Sequence, residues 1–131
     1  MSTVLICLLI GMLLPYVWAF GSVPFRSKQF GKPDLAEPRV QADQLVDGGA
    51  RVVGAQANAW EALIVFTAAN FAAFAVGVDP EGNWTLAAMI WAAARVGHGI
   101  FYIMGIAVLR VLAFAIGLGM SFWIMTMAIS L

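Results

Sequence analysis

The sequence predicts an all-α integral membrane protein, a bundle of four membrane-spanning helices, on three observations. Of the 131 residues, 63% are hydrophobic and only 11% charged, against about 45–50% apolar and about 25% charged in soluble domains. The apolar residues gather in four long runs, and a helix needs about 20 of them to cross the hydrocarbon core. Between the runs lie segments rich in Gly, Pro and charge. Seven basic residues balance seven acidic ones, so the basic surplus that electrostatic nucleic-acid binding requires is missing. The single cysteine, Cys7, lies in an apolar run and excludes an intrachain disulfide, a zinc site and a haem-attachment motif. It reads as a packing or lipid-facing residue.

Taken in order, the first span covers about 3–23. Pro15 interrupts it, which a membrane helix tolerates where neighbours satisfy the freed backbone. Met1, Ser2 and Thr3 carry no basic charge and the apolar run exceeds a signal h-region, so it reads as a retained span rather than a cleaved signal. Residues 24–49 turn abruptly to Pro, Gly, Lys, Arg, Asp and Gln and read as one long loop. The second span, about 50–78, closes on the turn Asp79-Pro80-Glu81-Gly82. The third covers about 84–106 and the fourth about 108–130, with Gly105 marking a tight turn between them. The whole chain, 1–131, reads as a single membrane domain.

Lys and Arg in short loops stay on the cytoplasmic side. Arg26, Lys28, Lys32, Arg39 and Arg51 lie in or beside the long loop, and the Asp79–Glu81 tip has none. The long loop is therefore expected in the cytoplasm and both termini outside.

Ionisable residues inside a span cost about 2.5–3.5 kcal/mol each and face the bundle interior or a water-filled cavity. The second span carries Arg51, Gln56, Asn58 and Glu61, and the third Arg95, His98 and Tyr102. At 100° per residue Arg51, Asn58 and Glu61 fall within about 80° of one another, and Arg95, His98 and Tyr102 within about 60°, so each helix has one polar stripe. Counted from Arg51 and Gly105, Glu61 and Arg95 both lie about 15 Å deep, and Asn58 and His98 about 10 Å deep. This matching predicts a buried Glu61–Arg95 ion pair, since an unpaired charge at that depth is far costlier. The remaining groups, with Arg110 after the turn, outnumber what the pair needs and outline a cytoplasm-facing pocket for an anionic, amide-rich ligand. Plainer roles stay open: Tyr102 as an interfacial anchor, Arg110 as a snorkelling residue, His98 and Asn70 as cross-helix hydrogen-bonders.

The stretch Arg51-Val-Val-Gly-Ala-Gln-Ala-Asn58-Ala-Trp-Glu61 resembles the second-span signature of the MAPEG family, membrane-associated proteins in eicosanoid and glutathione metabolism. Asn58 and Glu61 match its Asn-x-x-Glu. Arg95-Val-Gly-His98-Gly-Ile-Phe-Tyr102, with Arg110 beyond the turn, is similar to its third-span motif. The resemblance implies a homotrimer of four-helix subunits with glutathione as co-substrate, bound between neighbouring subunits. It implies Arg110 as the residue that stabilises the glutathione thiolate, with Arg51, Gln56, Asn58, Glu61, Arg95, His98, Tyr102 and Arg26 shaping the binding site. The chain departs from the family at Gly54, where glutathione-binding members often carry a second Arg.

Three functions follow as expectations. The first is a glutathione-dependent transferase or peroxidase acting on hydrophobic electrophiles or lipids from the bilayer. The second is a non-catalytic lipid-binding or scaffold protein of the same fold. The third is a small four-span proton-coupled exporter, which needs a lone titratable acid in the membrane where this chain pairs Glu61 with Arg95.

Overall fold

The structure, a computed structural model, describes residues 1–131. It is all-helical, with α1 (Ser2–Gly21), α2 (Val23–Phe30), α3 (Pro38–Asp43), α4 (Asp47–Val76), α5 (Asn83–Met104) and α6 (Ala107–Ile129). Four helices are long and apolar enough to cross a membrane: α1 continuing into α2, then α4, α5 and α6. The fold class is the one the composition predicts, and the chain is an integral membrane protein.

The segment 24–49 is not the plain loop expected of it. It contains α2 and α3, and α4 already begins at Asp47. Hydropathy reads polarity and not conformation, so polar helices outside the apolar runs escape it. Side chains hold the segment together. Arg26 donates from Nη1 to the Pro38 carbonyl at 2.7 Å and from Nε to Ser22 Oγ at 3.0 Å. Gln29 donates to the Gln44 carbonyl, and its Oε1 accepts the Val46 N–H ahead of α4. Buried Gln41 accepts the Asp34 N–H and donates to the Lys32 carbonyl.

Two of the long helices, α4 and α5, end where glycine allows a left-handed residue. Gly77 closes α4 at φ 80° and Gly105 closes α5 at φ 75°. At each, paired backbone bonds cover the final carbonyls: Val78 N–H to Ala73 and Gly77 N–H to Phe74, then Ile106 N–H to Phe101 and Gly105 N–H to Tyr102. The α5–α6 turn is thus only Gly105 and Ile106.

α4 and α5 pack against each other, and both α1 and α6 pack on the two of them. Their antiparallel register is visible in cross-helix pairs. Arg51 meets Ile103, Asn58 meets Arg95, Phe66 stacks on Trp91 with centroids 3.7 Å apart, and Asn70 bonds Trp84. The apolar core lies toward the termini, built from Val4 and Cys7 of α1, Phe66, Ala69 and Ala73 of α4, Trp84, Ala88 and Trp91 of α5 and Ile124 of α6. Alanines let the backbones approach closely enough to enclose two tryptophans. The charged, histidine and tyrosine side chains of α4 and α5, with Asn58, occupy the opposite half, toward α2 and α3, the loop end.

Large apolar side chains such as Leu5, Ile64, Phe71, Val108 and Phe122 are exposed all round the bundle. In water such a surface is an aggregation hazard; against acyl chains it is the solvated face.

Asn70 is the one polar residue buried in the apolar half of α4. Its Nδ2 donates to the Phe66 carbonyl and its Oδ1 accepts the Trp84 indole N–H, both at 2.7 Å. Asn70→Ala leaves that N–H buried without an acceptor, a loss of about 1–3 kcal/mol. Thermal unfolding in detergent is expected to show a lower Tm than for the parent protein; an unchanged Tm would mean the bond contributes nothing.

Candidate functional site

Arg95 is the centre of the polar half. Only 3% of its surface is exposed, and His98, one turn later, is equally enclosed. A guanidinium has donors only, so it requires acceptors from neighbouring helices. Arg95 Nη2 donates to Asn58 Oδ1 at 2.6 Å, reaches the Asn58 carbonyl at 3.5 Å, and lies 3.3 Å from His98 Nδ1. Since Arg cannot accept, His98 Nδ1 is the acceptor in that contact. The side-chain stem runs against α6 at Gly117, where an added Cβ would come within 3.1 Å of Arg95 Cδ. The glycine there provides the room that the arginine takes.

The expected Glu61–Arg95 ion pair is not formed. Arg95 hydrogen-bonds Asn58, while Glu61 stands on the exposed side of α4. Asn58 Nδ2 donates to Glu61 Oε2 at 3.4 Å, so the amide links the two charges, accepting from one and donating to the other. Arg51 lies beside Gly105 while bonding the Ile103 carbonyl, so the loop ends of the two helices meet as expected; within that packing it is Asn58, one turn before Glu61, that reaches Arg95, and Glu61 points to the exposed side.

Asn58, Glu61 and Arg95 share a cleft of about 150 Å³ with Trp91 of α5 and Phe114, Leu118 and Ser121 of α6. Trp91, Phe114 and Ser121 were not singled out from sequence. Ser121 continues a four-residue spacing of small residues, Ala113, Gly117 and Ser121, all buried, but Ala115 and Gly119 share that spacing and are exposed, so the pattern alone does not single it out.

Nearer the loop end, Tyr102 gathers a second group. The Arg110 guanidinium lies over its ring, 4.5 Å from the centroid, and His98 meets it edge-on at 5.6 Å. Its phenol end rests against Gly54 of α4, where an added Cβ would stand 2.7 Å from Tyr102 Cζ. Arg51 is already engaged, since its Nε donates to the Ile103 carbonyl at 3.0 Å. A cation at the carbonyl end of α5 answers both the orphan acceptor and the helix dipole.

Arg26 and Gln56 belong to neither group. They line a wider cleft, about 510 Å³, with Arg39 of α3 and Trp60 of α4. A single chain therefore brings together Asn58, Glu61, Arg95 and His98, joins Tyr102 and Arg110 to them through His98, and leaves Arg51, Arg26 and Gln56 apart.

The MAPEG family model matches residues 3–130, nearly the entire chain. The chain belongs to the MAPEG family. No curated protein and no solved structure matches it. Within this MAPEG fold, the residue that sequence reasoning missed altogether is Gln41, whose amide joins Lys32, Asp34 and Arg26; a polar residue in a polar segment offers no signal of burial.

The arrangement ranks two substitutions. Asn58→Ala removes the side-chain acceptor of a buried guanidinium and is expected to cost about 1.5–3 kcal/mol, the range for bonds to charged groups. Glu61→Gln, at an exposed position, is expected to stay within about 0.5 kcal/mol. Unfolding of both variants in one detergent measures the ranking, and the opposite order would return the Arg95 partnership to Glu61.

Proposed function

We propose that this MAPEG protein is a glutathione-dependent transferase or peroxidase acting on hydrophobic electrophiles that reach it from the bilayer. In this reading it works as a homotrimer, with glutathione between neighbouring subunits at the loop end, which faces the cytoplasm. The observation that carries the reading is the concentration of guanidinium, imidazole and phenol groups at that end of a chain belonging to this family. Arg95 meets His98, His98 meets Tyr102 and Tyr102 meets Arg110 there, and Arg51 bonds the Ile103 carbonyl at the same end of α5.

The chemistry asks little of each group. A free thiol has a pKa near 8.5, so most of it is protonated at neutral pH. A guanidinium beside the sulfur favours the thiolate, which is the nucleophile. Arg110 takes that role. The thiolate sulfur attacks the electrophilic carbon and the leaving group departs with the bonding pair. In the peroxidase variant the sulfur takes the terminal oxygen of a hydroperoxide and an alcohol leaves. Arg51, Gln56, Asn58, Glu61, Arg95, His98, Tyr102 and Arg26 hold or shape the tripeptide. Glu61 and Gln56 suit its ammonium and amide groups, and the cations its carboxylates. Arg26 and Gln56, remote from the Arg95 group within one chain, serve the site from the neighbouring subunit.

A second reading, a lipid-binding protein of the same fold without catalysis, is favoured by a specific observation. Gly54 supplies no second arginine on α4, the space beside it is filled by Tyr102, and Arg51 is committed to a backbone carbonyl. Fewer cations are then free for two carboxylates.

Calorimetry with glutathione on the detergent-purified protein, followed by conjugation of a generic aryl halide, separates the two. The transferase reading expects saturable binding and turnover, and expects Arg110→Ala to lower turnover by about 10²-fold, as loss of one transition-state donor does elsewhere, with the oligomer size retained. Undiminished turnover in that variant removes the proposed mechanism, and an absence of glutathione binding by the parent protein leaves the second reading.

A further inference from the structure

We infer that Gly54 is a positioning residue: it forms a notch in α4 that seats the ring of Tyr102, and the seated ring in turn holds the guanidinium of Arg110. The catalytic consequence rests on the role proposed for Arg110, but the mechanical coupling does not.

Glycine is, after proline, the least favourable residue in a helix interior, and Gly54 lies well inside α4, seven residues beyond Asp47. No turn or left-handed backbone requires it there, because its φ is helical. What does require it is Tyr102. An added Cβ at position 54 would meet the phenol oxygen first, then Cζ at 2.7 Å and Cε1 at 3.1 Å, all inside van der Waals contact. The three clashing atoms belong to one side chain. Both backbones are tied down by helical hydrogen bonds and by the Arg51 bond to Ile103. The ring, hinged at its own χ1, is therefore the part that gives way.

Arg110 depends on that ring. Its guanidinium lies over the face, 4.5 Å from the centroid, within the range of a cation–π contact. It makes no hydrogen bond in the chain to another side chain or carbonyl through its guanidinium, so the Tyr102 face is the contact that fixes it. The coupling runs from a missing side chain on α4, through an aromatic ring on α5, to a cation on α6. It links three helices with no direct contact between the first and last residue. A β-carbon at 54 tips the ring out of its seat and frees the cation.

The test follows the reactivity of Arg110 toward phenylglyoxal, an arginine reagent, by peptide mass spectrometry on the full-length protein in detergent. In Gly54→Ala, modification of Arg110 is expected to rise about two- to tenfold, the factor that a cation–π contact of this kind corresponds to. Tyr102→Ala is expected to give the same rise, whereas Tyr102→Phe, which keeps the ring face, is expected to retain the parent rate. The decisive comparison is a double-mutant cycle: with Tyr102→Ala in place, Gly54→Ala adds nothing to Arg110 reactivity and raises the Tm, because the helix gains alanine and loses the clash.

An unchanged Arg110 rate in Gly54→Ala, or an equal increment with and without Tyr102, overturns the inference. Should Gly54→Ala alone fail to fold, the double variant decides the seat by folding or not, and Tyr102→Ala decides the hold on Arg110. Where glutathione turnover is present in the parent, Gly54→Ala is expected to lower kcat with a smaller change in KM and to weaken the thiolate absorbance of bound glutathione. A parent protein that does not bind glutathione refutes the proposed function and leaves the phenylglyoxal comparison intact.

Discussion

A guanidinium enclosed in a membrane bundle has to find its acceptors within the protein, and for Arg95 that requirement organises everything around it. In the hydrocarbon interior the water that would otherwise serve is absent, and an unpaired charge is the costliest group a span can carry. Asn58 Oδ1 supplies the short bond and His98 Nδ1 the second contact. Making that bond brings α4 and α5 to one relative height. Further cross-helix bonds lie to either side of it, Arg51 at the Ile103 carbonyl and Trp84 at Asn70. The third helix adapts as well, since α6 presents Gly117 to the arginine stem.

The bundle is divided along its length. Toward the termini, two buried tryptophans, Phe66 and a set of alanines form a close-packed apolar plug in which Asn70 is the sole polar exception on α4. Toward the loop end, the same helices carry Arg, Asn, His and Tyr. Rigid packing at one end holds polar side chains at the other in a fixed relation, which is the arrangement a site needs when its groups come from different helices. The segment with α2 and α3 closes over that end through Arg26, Gln29 and Gln41, bonding backbone groups that would otherwise be left open.

The role of Asn58 differs from that of a simple ion-pair partner. An amide offers both an acceptor and a donor, so it accepts from Arg95 Nη2 on one side, the buried Nε of Arg95 finding no partner in the chain, and contacts Glu61 on the other. Glu61 is thereby left exposed on α4 rather than consumed in an ion pair within the chain. Similarly, the Arg110 guanidinium is held over the Tyr102 ring rather than by a hydrogen bond.

The sequence by itself determined the all-helical class, the four membrane-length runs, the tight turn at Gly105, and the fact that polar residues on α4 and α5 share a stripe on each helix. These follow from hydropathy and from the period of the helix, which are properties of one segment at a time. The MAPEG family was legible for the same reason, because its motifs are local spacings within a helix. Only the tertiary structure decided which polar groups meet. Arg95 takes Asn58 while Glu61 stays on the exposed side of α4, a choice between two residues one turn apart that depends on how the helices pack against each other. The helical nature of α2 and α3, the burial of Gln41 and the seat of Tyr102 on Gly54 are decided the same way, since each depends on residues far apart in the chain whose approach no single-segment pattern encodes.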